Sequence, residues 1–228
     1  YSFAALKEDG SVVTWGDSTN GGDSSSVSSK LNSNVSKVFA NQHSFAALKE
    51  DGSVVTWGRS SYGGDSSSVF SQLTSGVKKI FTTEGAYAAL KNDGSVVTWG
   101  SSSDGGSTGD IVASQLTNVI DITSTKGAFA ALKNDGSVVV WGGSGSTMSD
   151  AAFASTQNNV KKIYANWYAF AALKNDGSVV TWGNGSNQGD DSSSVASELS
   201  SGVIHIYSNL FSFAALKADG SIVTWGDS

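Results

Sequence analysis

The sequence contains no cysteine and no proline, one methionine and two histidines. The first absence removes disulfides, thiolate metal sites and cysteine catalysis together. Without proline, the turns fall to 27 glycines and 43 serines. Charge is sparse, at 15% of residues, with 14 Lys and Arg against 20 Asp and Glu and a net charge of -6. Such a chain lacks the phosphate-neutralising surface that non-specific nucleic-acid binding requires, so no nucleic-acid partner is expected. No apolar run reaches the length that spans a bilayer, and no membrane insertion is expected. The chain opens at Tyr1 without an initiator methionine or a signal peptide, and is expected to be part of a longer repeat protein. What remains is 39% hydrophobic and 10% aromatic, too rich for disorder, and 228 residues suit one large domain or two small ones.

The string Phe45-Ala46-Ala47-Leu48-Lys49, followed by Asp51-Gly52-Ser53-Val54-Val55-Thr56-Trp57-Gly58, occurs six times with minor changes. Its first aromatic is Phe3, Phe45, Tyr87, Phe129, Phe170 and Phe213, at spacings of 42, 42, 42, 41 and 43 residues. A looser string lies between copies: Val35-x-x-Val38, Val77-x-x-Ile80, Val119-x-x-Ile122, Val160-x-x-Ile163 and Val203-x-x-Ile206. The repeat covers residues 1–228 and calls for no boundary within them.

Each unit reads as three strands. The Val-x-x-Ile segment is the first, short and β-branched, and an aromatic extends it at Phe39, Phe81, Tyr164 and Tyr207. The Phe-Ala-Ala-Leu-Lys segment is the second and Ser-Val-Val-Thr-Trp the third. Lys-x-Asp-Gly between them is a tight hairpin. The Gly/Ser stretch after Trp-Gly fits either a helical turn or a poorly paired fourth strand. Neither the second nor the third strand alternates cleanly, so both faces must be covered, as when small sheets stack. Units of this length and content predict an all-β propeller of three- to four-stranded blades, with an open superhelical stack of the same blades as the alternative. Six full units would take about 252 residues by this logic, and the missing part corresponds to the first strand of the first blade.

The pattern Gly-Val-x-x-Ile, aromatic-x-Ala-Leu-Lys, Asp-Gly-x-Val-x-x-Trp-Gly resembles the regulator-of-chromosome-condensation repeat over the whole chain. In unit length it is most similar to the bacterial beta-lactamase-inhibitory propeller of that superfamily. The resemblance implies the propeller fold. It carries two functions, nucleotide exchange on chromatin for the eukaryotic namesake and protein inhibition for the bacterial relative, and fold alone transfers neither. The chain lacks the basic surface of a chromatin binder, and its Ser-rich stretch after Trp-Gly departs from the inhibitor's pattern.

Comparing the six copies separates frame from decoration. The hairpin is nearly constant. The loop between first and second strands is not: 41–43, 83–85, 125–127, 166–168 and 209–211. The stretch after Trp-Gly drifts as well, at 17–20, 59–62, 101–104, 143–146 and 184–187. Antiparallel geometry puts both variable loops at one end of each blade and the hairpins at the other. Loops on a rigid scaffold commonly carry binding residues. The candidate binding face is therefore Gln42, His43, Arg59, Tyr62, Glu84, Lys126, Trp167, Tyr168, Leu210 and Phe211, against the plain alternative of drift in exposed loops.

Other chemistry is weakly signalled. The tryptophans of Trp-Gly, one per unit in a strand, are expected to be core rather than a sugar-stacking ladder. The hairpin aspartates and the Gly-Gly-Asp-Ser-Ser runs at Gly21 and Gly63, with Gly189-Asp190-Asp191-Ser192, lack the oxygen density that calcium demands, so no metal or cofactor is expected. His43 and His205 belong to no readable catalytic arrangement, and no enzyme is expected. Asn34-Val35-Ser36 and Asn184-Gly185-Ser186 match the glycosylation acceptor pattern. The expected role is a non-enzymatic extracellular or cell-surface module, a structural or adhesive segment of a larger protein. The alternative is a propeller that binds a protein or glycan partner on its variable face. Partners are then protein, glycan or neighbouring copies of the chain.

Overall fold

The computed structural model describes residues 1–143, 148–184 and 189–227. The variable segments 143–146 and 184–187, and the second glycosylation triplet, thus fall partly outside the described residues. The fold is all-β and built from propeller blades. Blade 1 pairs β1 (Ser2–Leu6) with β2 (Val12–Gly16). Blade 2 holds β3 (Val35–Ala40), β4 (Ser44–Lys49) and β5 (Val54–Gly58). Blade 3 holds β6 (Val77–Thr82), β7 (Ala86–Lys91) and β8 (Val96–Gly100). Blade 4 holds β9 (Val119–Ser124), β10 (Ala128–Lys133) and β11 (Val138–Gly142). Blade 5 holds β12 (Val160–Ala165), β13 (Ala169–Lys174) and β14 (Val179–Gly183). Blade 6 holds β15 (Val203–Ser208), β16 (Ser212–Lys217) and β17 (Ile222–Gly226). The chain forms two compact units, residues 1–117 and 118–228, with three blades in each.

Five sheets are three-stranded with the second strand in the middle, and blade 1 has two strands. Among the described residues the stretch after Trp-Gly forms no fourth strand. It makes short helical turns, such as Ser60–Tyr62 and Ser67–Gln72, and a seven-residue helix at Gly109–Gln115. Two local contacts tie it to the third strand. Val54 N–H donates to the Leu73 carbonyl at 2.9 Å, and the hydroxyls of Thr56 and Ser66 meet at 3.0 Å. A backbone satisfied in this way has no need of a ladder partner. Each first strand also carries a register shift, between Val35 and Lys37 in blade 2, which explains why Val-x-x-Val reads with a period of three.

The second strand shows why both its faces are covered. In blade 2, Ala46, Leu48 and Val54 pack toward blade 3, against Leu73, Val77, Ile80, Tyr87, Val97 and Trp99. Phe45, Ala47, Val55 and Trp57 face the other way, with Ala4 and Val12 of blade 1 packed against them. Blades 5 and 6 meet in the same manner, Ala171 and Leu173 of one against Phe213 and Trp225 of the other. Alanines on the middle strand let sheets approach, and the stacked Tyr87–Trp99 pair, at 5.0 Å, fills the wider gap.

The six tryptophans of Trp-Gly are core with one exception. Trp57 and Trp99 are each 2% exposed, whereas Trp15 is 51% exposed. Trp15 stacks on Phe3 at 5.4 Å like its counterparts, so the difference arises outside its own blade.

Replacing Trp99 with Ala should lower unfolding free energy by about 3–5 kcal/mol in urea titration, as for other buried large-to-small changes. Iodide should reach Trp15 and leave Trp57 and Trp99 unquenched. Quenching of all three alike would contradict this packing.

The hairpins generate a second expectation. Asp51 Oδ1 accepts from the Ser53 hydroxyl at 2.6 Å and from Ser53 N–H at 2.9 Å, and this arrangement recurs at Asp93, Asp135, Asp176 and Asp219. The serine hydroxyl first, and its N–H second, hold these carboxyls below the ordinary carboxylate range. A carboxyl depressed in the folded state binds fewer protons there than when unfolded. Its contribution is present above the unfolded value, about 4, and is lost as pH falls through the folded value. The urea midpoint should be flat from pH 8 to 5 and decline below about pH 4. Changing Ser53 and Ser95 to Ala should shrink that acid slope.

Candidate functional site

The variable loops converge at one end of each blade. In blade 2 the Asn41 side-chain amide donates to the Tyr62 carbonyl at 2.7 Å, and Arg59 N–H donates to the His43 carbonyl at 3.0 Å. The 41–43 loop and the stretch after Trp57-Gly58 therefore lie against each other. Thr83 does the same in blade 3, its hydroxyl donating to the Asp104 carbonyl at 2.8 Å.

Each loop is shaped by its first residue. Asn41 Oδ1 accepts from the N–H groups of His43 and Ser44, at 3.0 and 2.8 Å. Asn166 Oδ1 accepts from Tyr168 and Ala169, at 2.8 and 2.7 Å, and Asn209 Oδ1 from Phe211 and Ser212, at 2.9 and 2.8 Å. In blades 3 and 4 the hydroxyls of Thr83 and Thr125 replace the amide, accepting from Ala86 and Ala128. Sequence comparison grouped these residues with the variable positions. Their restriction to Asn or Thr in all five loops was the signal that they belong to the frame.

Adjacent loops are also stitched main chain to main chain. Gln42 N–H donates to the Glu84 carbonyl at 3.3 Å, Lys126 N–H to the Trp167 carbonyl at 2.9 Å, and Trp167 N–H to the Leu210 carbonyl at 3.3 Å. The side chains at these positions are thus displayed from a braced edge.

The ten candidate residues fall into two groups, one per unit. In unit 1, His43 is the hub. Its Nδ1 lies 2.7 Å from Asn20 Oδ1, its ring meets Tyr62 edge-on at 4.3 Å, and Arg59 stands over Tyr62 at 5.2 Å. Tyr1, which sequence reasoning did not include, stacks on His43 at 6.3 Å. Gln42 and Arg59 are exposed, and Glu84 is half-buried. In unit 2, Trp167 and Leu210 are each 44% exposed and Phe211 38%. Tyr168 stacks on Phe211 at 5.9 Å across blades 5 and 6. Lys126 is exposed on the neighbouring loop of blade 4. Unit 2 carries the more apolar group and unit 1 the more polar one.

The hairpin end is polar and self-satisfied. The Lys49 ammonium donates to the Lys30 carbonyl at 3.1 Å, Lys91 to Gln72 at 3.0 Å and Lys217 to Glu198 at 2.7 Å. The alternating Lys and Asp of these turns suggest ion pairs, but of the described turns only that of Lys7 and Asp9 forms one, at 3.0 Å. The lysines instead close the ends of the helical turns.

The Gly-Gly-Asp-Ser-Ser runs use their carboxylates locally. Asp23, Asp65 and Asp191 each accept from the N–H two residues on at 2.8 Å, which holds these carboxyls below the usual range. Among the described residues no three His, Asp or Glu side chains come together as a metal site. Treatment with EDTA should leave the melting temperature unchanged within about a degree. A clear fall would return calcium to these runs.

Residues 160–188 match the family model of the regulator of chromosome condensation (RCC1) repeat. That segment runs from β12 through β14, and the chain repeats the same strings six times. Human WBSCR16 shares the fold, with a TM-score of 0.54 and 22% identity over 84% of this chain and 61% of that one. Prp20p of Saccharomyces cerevisiae gives a TM-score of 0.54 at 16% identity, covering 99% of this chain and 69% of that one. The ectodomain of the Physcomitrella patens receptor kinase CR4 gives 0.52 at 16% identity, over 83% and 51%. The chain therefore spans about three-fifths of the human protein's length and half of the moss ectodomain's. Comparison with curated proteins by sequence gives no match.

Proposed function

We propose that this chain, which belongs to the regulator of chromosome condensation (RCC1) repeat superfamily, is a non-catalytic module that binds a protein on the loop ends of its blades. The observation that carries the reading is the group of Trp167, Tyr168, Leu210 and Phe211. These are large apolar side chains left exposed or half-exposed on loops fixed by asparagine amides and by inter-loop main-chain bonds. Exposing them costs hydration free energy, and loop residues in a stable scaffold are under no packing demand to be aromatic. Rigid aromatics also lose little side-chain entropy on binding, which suits them as anchors. Two solved structures of the same fold support a protein rather than a glycan as the partner: Prp20p binds Gsp1p and histones, and yeast RCC1 is bound by Kap60.

A second reading, a structural segment of a larger surface or secreted protein, is supported by a different observation. The apolar outer faces of blades 1 and 6, with Phe3 and Trp15 on one and Tyr207 and Ile222 on the other, are exposed.

A photo-crosslinking residue placed at Leu210 separates the two. Adducts with another protein support the binding module, and adducts with further copies of the chain support the structural one. In the first case Trp167→Ala with Phe211→Ala should weaken binding by at least about 2 kcal/mol, or roughly 30-fold. Their effect on the urea midpoint should be far smaller than that of Trp99→Ala. Undiminished affinity in the double variant would refute the assignment of this patch.

A further inference from the structure

We infer that the polar loop end of unit 1 is a carboxylate-binding site in which Arg59 supplies the fixed cation and His43, through protonation at Nε2, sets the affinity. This extends the loop-end reading to a second site, and it is tested apart from the Trp167 group, which lies in the other unit. The repeat itself separates these side chains from the frame. The position of His43 is Gly85 in blade 3, where a Cβ would lie 2.5 Å from Asp104 Oδ2 and 3.1 Å from Tyr62 Cδ1. The positions of Asp17 and Asn20 are Ser101 and Asp104 after the third strand of blade 3. The same loop therefore closes there without an imidazole, and the fold does not demand the arrangement around His43.

Two hydrogen bonds fix the state of the ring. The Asn20 amide nitrogen donates to Asp17 Oδ2 at 3.0 Å, which turns Asn20 Oδ1 toward His43 Nδ1, 2.7 Å away. An amide oxygen only accepts, so Nδ1 carries a proton in both charge states of the imidazole, and Nε2 is the position that titrates. Nε2 makes no hydrogen bond among the described residues. The one buried side-chain nitrogen or oxygen without a partner there belongs to Trp182, so Nε2 is within reach of solvent. Neutral, it offers a lone pair and repels a carboxylate. Protonated, it offers a donor and a positive charge. The Tyr62 ring, met edge-on by His43 at 4.3 Å, also carries the Arg59 guanidinium at 5.2 Å, and Arg59 N–H donates to the His43 carbonyl. The two groups thus share one support. Arg59 is exposed and forms no ion pair among the described residues. The Thr19 hydroxyl first, and its N–H second, hold the Asp17 carboxyl below the usual range, so it stays ionised beside Asn20. Glu84 lies on the adjoining loop, where its carbonyl accepts from Gln42 N–H, and the Tyr1 ring stacks on the imidazole at 6.3 Å. One permanent and one conditional positive charge suit a single carboxylate better than a phosphate dianion.

The probe is a fluorescein-labelled peptide of glutamates, titrated into the whole chain by anisotropy at about pH 5.5 and about pH 8, between which glutamate stays ionised and imidazole changes charge. The protonated ring binds better, so binding takes up a proton and affinity should be roughly 10-fold higher at the lower pH. His43→Gln should remove that pH dependence and keep the affinity seen at the higher pH. His205→Gln, which alters the other histidine, should leave the dependence in place. Arg59→Gln should weaken binding at least about 10-fold at both pH values. Melting curves of the variants establish that each is folded, and long-range proton–nitrogen NMR of the unsubstituted chain reads the tautomer directly. A neutral His43 with its proton on Nδ1 is expected. A proton on Nε2 instead overturns the proposal, as does the absence of saturable binding at the lower pH or an unchanged pH dependence in His43→Gln. Inorganic phosphate competing better than acetate at equal ionic strength overturns the choice of ligand. Trp167→Ala with Phe211→Ala should leave this titration unaltered, so that failure of the Trp167 reading is seen separately. Loss of peptide binding in that double variant would move the site to unit 2 and overturn the inference.

Discussion

In blades 2, 3 and 6 an indole fastens the blade to the one before it. Trp57 Nε1 donates to the Gly21 carbonyl, Trp99 to Gly63 and Trp225 to Gly189, at 3.0 to 3.1 Å and always 36 residues back. A buried N–H without an acceptor is costly, so this bond fixes more than its own contact. It sets the distance along the chain between acceptor and donor, and with it the length of the linker, the first strand and the hairpin. Gly63 also shows why the acceptor must be glycine. Its φ is +91°, and a Cβ there would lie 2.6 Å from the Tyr87 ring. The aromatic pair and the glycine therefore constrain each other across the blade boundary. The spacing of 43 residues obeys the same rule. From Trp182 to Gly189 there are seven residues where Trp57 to Gly63 has six, and the 36 residues from Gly189 to Trp225 are unchanged. The additional residue is taken up in the loop after Trp-Gly, the one part of the unit that the indole bond leaves free. Trp182 has no acceptor for its Nε1 among the described residues, and the position 36 before it, Ser146, lies outside them.

That division of the unit explains where variation is tolerated. At the hairpin end, the residue before each first strand has positive φ, as Asn or Gly: Asn34, Gly76, Asn118, Asn159 and Gly202. The carbonyl of Gly52 accepts from Val77 N–H at 3.0 Å, and a Cβ on Gly52 would meet the Gly76 nitrogen at 2.8 Å. The hairpin of one blade and the strand start of the next are therefore in main-chain contact, and the hairpin glycine admits no larger residue while the strand start takes Gly or Asn. At the loop end, the indole bond and the asparagine turns hold the backbone, and the side chains following them project outward. Constraint at one end and freedom at the other follow from the same stack.

Much of this was legible in the sequence. The second and third strands, their hairpins and their aromatic pairing follow from a string repeated six times, because an identical local sequence in an identical setting folds identically. The first strand was placed correctly despite its bulge, since Val and Ile mark its two inward positions. Other features depend on contacts that local pattern does not encode. The helical turns after Trp-Gly carry no amphipathic period of their own, and their conformation comes from the strand they close. Trp15 has the same neighbours in sequence as Trp57 and differs only in what lies against its outer face. The candidate residues were legible as a set of variable positions. Their separation into a polar group around His43 and an apolar group around Trp167 arises from which loops are adjacent within each unit, and no single repeat contains that information.

The exposed faces of blades 1 and 6 follow from stacking rather than from local sequence. The middle blade of each unit buries two different faces, one bearing the aromatic pair and the other bearing Ala, Leu and the first Val of the third strand. A blade is thus a heterologous unit, whose two sides are complementary to each other and not to themselves. Such a unit has no reason to stop at any particular number, and its stability accumulates with each neighbour added. The face of blade 1 with Phe3, Val13 and Trp15 is of the first kind, and the face of blade 6 with Tyr207 and Ile222 is of the second. Their counterparts at the boundaries within each unit are covered, Phe45, Val55 and Trp57 being buried and Tyr164 and Val179 half-buried. A surface built only for solvent would not keep an indole, a phenyl ring and β-branched side chains on a sheet.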